Sequence, residues 1–145
     1  MHGLNHRMNQ LQTAGGTDWT VVAAGIVIRK KLILAVKRPP GKILAGFWEF
    51  PGGKALPGEP AHQALSRELD EELGIIPSDF RLWTRVKKSY AHLNAHVHFY
   101  LIYKYEGQIF PRENQEMAWI DPARTCGAGF LKADRKILKR VVYHL

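Results

Sequence analysis

The sequence lacks the features that would place it in a disulfide-rich or membrane-spanning class. Its 145 residues include one cysteine, Cys126, so no internal disulfide is possible, and we expect a reducing, cytoplasmic setting. No apolar run approaches the roughly 20 residues that a membrane-spanning helix needs. The first residues also lack the apolar core of a signal peptide. These absences favour a soluble globular protein.

Acidic residues are scarce, with 13 Asp and Glu against 21 Lys and Arg and a formal net charge of +8. One explanation is attraction for polyanions, including nucleotides and nucleic acids. However, no run of Lys and Arg exceeds three residues. This spread favours a solvated surface that also helps to steer a phosphorylated substrate. We therefore expect no stable nucleic-acid partner, no membrane partner, and either a monomer or a homodimer.

Apolar patterning predicts one α/β (mixed α+β) domain over residues 19–145, after a flexible segment at residues 1–18. The expected fold is a sandwich, in which a central mixed β-sheet carries helices on its faces. A helix is predicted from Pro60 to Leu73, and Gly74 suits its end. The other predicted elements are a hairpin of Val21–Ile28 and Leu32–Val36, a Pro- and Gly-rich loop with one short strand at 48–50, a turn at 76–79, strands at 79–90, 92–107 and 116–121, and a C-terminal helix from residue 132.

The predicted helix and the loop before it concentrate five carboxylates within fourteen residues, 59–72. Glu68, Glu71 and Glu72 are spaced i, i+3, i+4, which places them on one helical stripe. Oxygen ligands without nitrogen or sulfur suit Mg²⁺ or Mn²⁺, and the two glycines at 52 and 53 allow backbone to come close to metal and phosphate. A charged, solvated helix face is the alternative explanation.

The spacing of Gly53 and Glu59 and the sequence "RELDEELGI" at 67–75 resemble the Nudix box. Together with "GFWEFPGGK", the hairpin and the last helix, the resemblance is to the MutT-like branch of the Nudix hydrolase family and extends from about Val21 to the C-terminus. It implies a Nudix-type sandwich fold. It also implies Mg²⁺-dependent hydrolysis of a nucleoside triphosphate, such as 8-oxo-dGTP, to the monophosphate and pyrophosphate, in sanitation of the nucleotide pool.

The resemblance also implies roles for the residues of the box. The implied metal ligands are Gly52 (through its carbonyl), Glu68, Glu71 and Glu72. Glu68 is our candidate for the catalytic base, and Arg67 would orient a glutamate; Arg67, Glu68 and Glu71 form the predicted catalytic set. Gly53, Glu59 and Gly74 would be structural. Ala118 stands where the branch has a further metal-binding glutamate, so Glu116 is predicted as its substitute, with Glu113 as another possibility.

Substrate contacts are predicted from the same resemblance and from residue chemistry. Arg38 and Lys54 are candidates for phosphate contact, with an ordinary surface charge as the alternative. Trp48 and Phe50 are candidates for base stacking or for the core, and Asp134 is either a base-reading residue or a first-turn acid of the last helix. Asp134 and Ile43 depart from the MutT pattern, which leaves two alternatives, hydrolysis of CTP or a modified dCTP, and a non-catalytic nucleotide-sensing domain.

Three histidines share one parity in the strand predicted at 92–107: His92, His96 and His98. They could in principle bind a transition metal. Alternation with an apolar face is typical of a half-exposed strand. We therefore predict that they line a solvent-facing surface.

Overall fold

The computed structural model describes residues 18–125, 127 and 129–145, and its elements follow the predicted order. The predicted flexible segment lies outside the described residues except for residue 18, and so does Cys126. No helix in the described ranges is long and apolar enough to cross a membrane. The elements are β1 (Thr20–Arg29), β2 (Leu32–Lys37), β3 (Trp48–Glu49), β4 (Gly52–Lys54), α1 (Ala61–Leu73), β5 (Ile76–Tyr90), β6 (Leu93–Glu106), β7 (Met117–Ile120), α2 (Lys132–Val141) and a 3₁₀ turn (Val142–His144).

Strand β1 organises a mixed sheet. One edge of β1 pairs in parallel with β6, and β6 pairs in turn with β5 in an antiparallel ladder. The other edge of β1 is divided, because residues 22–24 pair with β4 and residues 28–29 pair with β2. Strand β2 continues to β3 and β7. The predicted hairpin and central mixed sheet are therefore confirmed.

The two helices pack on opposite faces of this sheet. Successive side chains of a strand point to opposite faces, and in β6 the alternate residues Phe99 and Leu101 pack with α2, whereas Tyr100 and Ile102 pack with α1. The buried side chains of α1 include the predicted leucine stripe, Leu65, Leu69 and Leu73; those of α2 include Ile137, Leu138 and Val141. This arrangement is the predicted sandwich.

Two local predictions are wrong. The predicted turn at 76–79 is strand, since β5 begins at Ile76 and pairs with the far end of β6 through two register shifts around Asp79. Gly52–Lys54, predicted as loop, forms β4, because the backbone of β1 offers a free edge there. In both places long-range pairing outweighs the local sequence signal.

The packing of α1 on the sheet predicts a cost for truncating its leucines. Leu69 is fully buried, whereas Leu82 on β5 is 43% exposed. Leu69→Ala should lower the free energy of unfolding by about 2–5 kcal/mol, measured by urea denaturation. The matched control Leu82→Ala should cost about 0.5 kcal/mol or less. Equal costs would contradict the described packing.

Candidate active site

Helix α1 is fixed at both ends and along its apolar stripe. It begins after Pro60, whose carbonyl accepts from the backbone N–H groups of Gln63 and Ala64. It ends at Gly74, which has φ of 72° and donates its N–H to the Asp70 carbonyl at 3.0 Å. A left-handed end of this kind favours glycine because a Cβ is disfavoured there. The buried leucines then leave the acidic stripe facing the segment 52–54.

Gly52 and Gly53 lie directly against the carboxylates of α1. A Cβ on Gly53 would stand 2.5 Å from the carboxyl carbon of Glu68, and a Cβ on Gly52 would stand 1.9 Å from the carbonyl oxygen of Ala23. Neither position has space for a side chain. The Gly52 N–H also points to Glu72, 3.4 Å from Oε2. The missing side chains thus allow β4 to approach two of the three carboxylates of α1 that are predicted metal ligands.

Arg67 connects this helix to the loop before it. Its Nε and Nη2 donate to the two carboxylate oxygens of Glu59 at 3.0 and 2.9 Å, and Nη2 also donates to the Lys54 carbonyl at 3.0 Å. Its Nη1 lies 3.0 Å from Glu68 and 3.4 Å from Glu71. Hydrogen bonds from Arg67 lower the pKa of Glu59, and Glu59 and Glu68 raise the pKa of Arg67 further above its usual value.

Glu59 lies where the resemblance implies, at the junction of loop and helix. Besides its bidentate pair with Arg67, it accepts from the Leu56 N–H at 2.9 Å. One carboxylate therefore holds the turn before α1 while the arginine holds the carboxylate. The two residues fix the position of the loop that joins Lys54, the last residue of β4, to α1.

Glu72 is a buried carboxylate, 9% exposed, with no cationic partner among the described residues. Burial, followed by the charges of Glu68, Glu49 and Glu113, raises its pKa to about 9. Burial also raises the pKa of Glu68, against the opposing effect of Arg67. A buried acid among other acids is costly unless a positive charge joins it.

The donor set fits a hard divalent cation, although the side chains are not yet arranged around one. In this conformation no group of three or more His, Cys, Asp or Glu in the described ranges is arranged to hold a metal. Arg67 instead pairs with both Glu68 and Glu71. The available donors are oxygens alone, one of them buried without a counter-charge, and such ligands suit Mg²⁺ or Mn²⁺. Glu68, Glu71, Glu72 and the Gly52 carbonyl are the residues that would hold the ion.

A cleft of about 480 Å³ adjoins the carboxylates at Gly52 and Gly53, which form part of its wall. This volume is within the range of small-molecule sites. The cleft lies on the α2 face of the sheet, where Ala95 and Val97 of β6 line it. Its polar and aromatic lining consists of Arg38, Lys42, Glu49, Phe50, Lys54, Tyr90, His92 and Asp134.

Cations gather on one side of the cleft. Arg38 donates to Glu49 at 3.0 Å and to the Ile43 carbonyl at 2.6 Å, which holds it between β3 and the loop after β2. Burial, together with the charges of Arg38 and Lys42, lowers the pKa of Lys54. Mutual repulsion of this kind is relieved when an anion binds between the cations. Arg38 and Lys54 thus both line the cleft, and their contact with phosphate stays a prediction.

Asp134 lies on another part of the cleft wall and is 7% exposed. Burial, and then the charge of Glu49, raises its pKa to about 8, while a hydrogen bond from the Phe50 N–H opposes the shift. Its carboxyl group is therefore mostly protonated at pH 7. In this state it offers one O–H donor and one carbonyl acceptor side by side.

The two predicted aromatic contacts are placed differently. Phe50 is 4% exposed and packs edge-on against Phe99 at 6.0 Å, so it is a core residue; it also lines the cleft, and its stacking on a base stays a prediction. Trp48 packs at the margin of the same core and does not line the cleft. Its backbone instead bonds to Gly129 and Leu131, which ties β3 to the start of α2.

The two candidates for an additional acidic ligand are also placed differently. The Glu116 side chain is 71% exposed and pairs with Lys37 at 3.6 Å. Glu113 is the one whose charge raises the pKa of both Glu68 and Glu72. The geometry therefore favours Glu113 over Glu116 as the acid that acts on the cluster.

Sequence reasoning missed four of the polar and aromatic residues that line the cleft: Lys42, Glu49, Tyr90 and His92. Glu49 stands between two aromatic residues, and an acid within "FWEF" was an available signal. Tyr90 and His92 reach the cleft only because β5 and β6 turn back at this end of the sheet, with their rings 5.7 Å apart. No local pattern marks those two.

The fold is an α/β domain with a mixed sheet between two helices. Its candidate site combines the carboxylates of α1, the glycines of β4 and the adjoining cleft. Within the α/β class, the sequence profile of the NUDIX domain matches residues 23–140, and the chain belongs to this family. Members of the family generally need a divalent metal ion.

Individual relatives agree with this assignment. An 8-oxo-dGTP diphosphatase of Haemophilus influenzae is 37% identical over 123 residues, covering 83% of this chain and 90% of the relative. A CTP pyrophosphohydrolase of Escherichia coli is 33% identical over 118 residues, covering 81% and 87%. The crystal structure of a MutT NUDIX hydrolase from Burkholderia pseudomallei superposes with a TM-score of 0.78 at 28% identity, covering 86% of this chain and 98% of that one.

The placement of Glu113 generates a prediction about metal affinity. Because Glu113 adds negative potential at Glu68 and Glu72, Glu113→Gln should weaken Mg²⁺ binding about tenfold. The measurement is the rise in melting temperature as Mg²⁺ is added without nucleotide. Glu116→Gln, which removes the same charge from an exposed ion pair, is the control and should match the wild type. If Glu116→Gln weakened Mg²⁺ binding more than Glu113→Gln does, the result would support the sequence-based prediction that Glu116 is the additional metal ligand.

Proposed function

We propose that this protein is an Mg²⁺-dependent hydrolase that cleaves a nucleoside triphosphate to the monophosphate and pyrophosphate and acts on the cytoplasmic nucleotide pool. The observation that carries the proposal is the contact of Glu68 and Glu72 with Gly52–Gly53 at the edge of a cleft that also holds Arg38 and Lys54. Carboxylates at one border of the cleft and cations on its wall suit a polyphosphate that arrives with a dication. The relatives named 8-oxo-dGTP diphosphatase and CTP pyrophosphohydrolase support this conclusion.

The residues of the chain divide the chemistry among them. A divalent ion would supply Lewis acidity at phosphorus and would lower the pKa of a bound water. Glu68 would take the proton of that water, since it is half-buried and its pKa is raised. Arg67 holds Glu68 in place through its Nη1. Arg38 and Lys54 would balance the charge of the phosphates along the cleft.

The protonated carboxyl of Asp134 supports 8-oxo-dGTP as substrate. On the edge that faces the major groove in DNA, guanine presents two acceptors, N7 and O6. Oxidation at C8 places a hydrogen on N7, so the oxidised base presents a donor beside an acceptor. A neutral carboxyl group matches that pair with its own acceptor and donor, whereas it leaves one mismatch with ordinary guanine.

A second candidate substrate is CTP or a modified dCTP. Cytosine also presents an acceptor, N3, beside a donor, its amino group, so a neutral Asp134 fits this base as well. The E. coli relative named CTP pyrophosphohydrolase supports this alternative. A non-catalytic sensing role has less support, because every carboxylate of the box is retained.

Released pyrophosphate tests the proposal directly. Purified protein with Mg²⁺ should turn over 8-oxo-dGTP with a higher kcat/KM than dGTP, and Glu71→Gln should lower kcat by about 10²–10³-fold. Asp70→Asn is the matched control, because Asp70 neighbours Glu71 on α1 but is exposed and pairs with Arg112. Preference for cytidine triphosphates would favour the second candidate. Absence of turnover with any triphosphate would contradict hydrolysis altogether.

The pKa of Asp134 sets a pH dependence of base selection. With a folded-state pKa of about 8, Asp134 is neutral below this pH and ionised above it, so the preference for 8-oxo-dGTP over dGTP should be full at pH 6.5 and should fall as pH rises through 8. The measurement is the ratio of the two kcat/KM values across this range.

Asp134→Asn provides the control for this pH dependence. An amide keeps a donor and an acceptor at every pH, so the ratio in this variant should stay nearly constant. Glu49 and Tyr90, which also face Asp134, are unchanged in the variant. A ratio that falls equally in the variant and in the wild type would show that Asp134 does not read the base.

A further inference from the structure

A second polar surface lies on the α1 face of the sheet, and we name it the basic stripe: Trp19, Arg85, Lys87, His96 and His98. Pairing of β5 with β6 places Arg85 opposite His98 and Lys87 opposite His96. Directly opposed residues of an antiparallel pair project from the same face. Trp19 joins them because the Lys87 Nζ lies 5.1 Å from the centroid of its ring.

The basic stripe is separate from the cleft. Alternation along β6 places Ala95 and Val97 in the cleft lining and His96 and His98 on the opposite face. That face is the one that α1 covers farther along, at Tyr100 and Ile102. In the part of this face that α1 does not cover, Arg85, Lys87 and Trp19 are exposed.

The charge of the basic stripe is not balanced within the described residues. Neither Arg85 nor Lys87 forms an ion pair there. The groups that act electrostatically on the two histidines are Lys87, Arg85 and, for His98, His96, whose ring lies 4.7 Å away. Burial and these cations lower the pKa of both histidines, and no carboxylate opposes them.

His98 adds one polar atom that is inaccessible from outside. The Nε2 atom of His98 is buried and has no hydrogen-bond partner among the described residues. Such groups are uncommon in native proteins. The accessible charged part of the stripe is therefore the exposed side chains of Arg85 and Lys87, which are the complement of an anion.

We propose that the basic stripe binds the backbone of a single-stranded nucleic acid, with a base stacked on Trp19. Arg85 and Lys87 are two residues apart on one strand, about 6.8 Å along it, so they present charge in a row rather than at a point. Proteins that bind single-stranded nucleic acids combine a row of cations with an aromatic side chain on which a base stacks. An acidic peptide would satisfy the cations but would give the exposed indole no partner.

This function is independent of triphosphate hydrolysis, because no residue of the stripe contacts the carboxylate cluster or lines the cleft. It also revises the expectation of no nucleic-acid partner. The basic residues are spread along the sequence, but strand pairing gathers Arg85 and Lys87 beside two histidines and an indole.

The test is anisotropy of a fluorescent oligothymidylate of roughly ten nucleotides with a 5′-hydroxyl, a length within the range of single-strand sites. EDTA is added to remove divalent metal ions and so prevent hydrolysis. The double variant R85Q/K87Q should weaken binding about tenfold and reduce the slope of log K against log salt by about 1.4, the value for two phosphate contacts on a single strand. W19A should weaken binding about fivefold or more with an unchanged slope.

The control is K136Q/K139Q, which removes the same two charges from exposed positions on α2 and should change binding less than twofold. All variants should retain the triphosphate turnover of the wild type, which verifies their folding. Equal weakening by K136Q/K139Q would reduce the effect to overall charge and overturn the proposal. An unaltered affinity in W19A would also overturn it, as would equally effective displacement of the oligonucleotide by polyglutamate, since either result would indicate an acidic protein instead.

Discussion

The candidate active site depends on one guanidinium group. Arg67 binds Glu59 with two hydrogen bonds, reaches Glu68 and Glu71 with its remaining nitrogen, and holds the Lys54 carbonyl as well. The helix alone would place like charges on adjacent turns, which repel one another. The loop alone would have no fixed position above the helix. Because a planar fork can serve several oxygens at once, a single side chain removes both problems, and a lysine with its point charge would not.

Two buried carboxyl groups show how the cost of burying a negative charge can be offset in different ways. Glu72 and Asp134 are both nearly inaccessible, and burial is the main cause of the raised pKa in each. Glu72 lies among other acids, against the N–H of Gly52, where a dication can compensate several charges together. Asp134 faces the apolar and aromatic part of the cleft, where a proton is the simplest compensation. In the proposed function, one end of the cleft would hold metal and phosphate, and the other would read the donors and acceptors of a base.

The sequence predicts those parts of the molecule that rest on local periodicity. The leucine stripe and the adjacent carboxylates of α1 follow from 3.6-residue spacing, and the strands with continuous apolar runs follow from their composition. Strand β4 could not be predicted in this way, because it is three residues long and begins with two glycines. The start of β5 and the approach of Tyr90 to the cleft depend on pairing with β6. The distinction between Glu113 and Glu116 depends on where a loop directs two nearby acids, which spacing does not encode.

The two faces of the sheet illustrate how a fold converts an unremarkable charge distribution into separate sites. The period of two in β6 sends Ala95 and Val97 into the cleft and His96 and His98 to the other face. On the cleft face, carboxylates at the border require a cation before a polyphosphate can approach. On the other face, cations without carboxylates can receive an anion directly. The two proposals thus give a chain with a net charge of +8 one anion site that would depend on metal and one that would not, and removal of metal would distinguish them without any change to the protein.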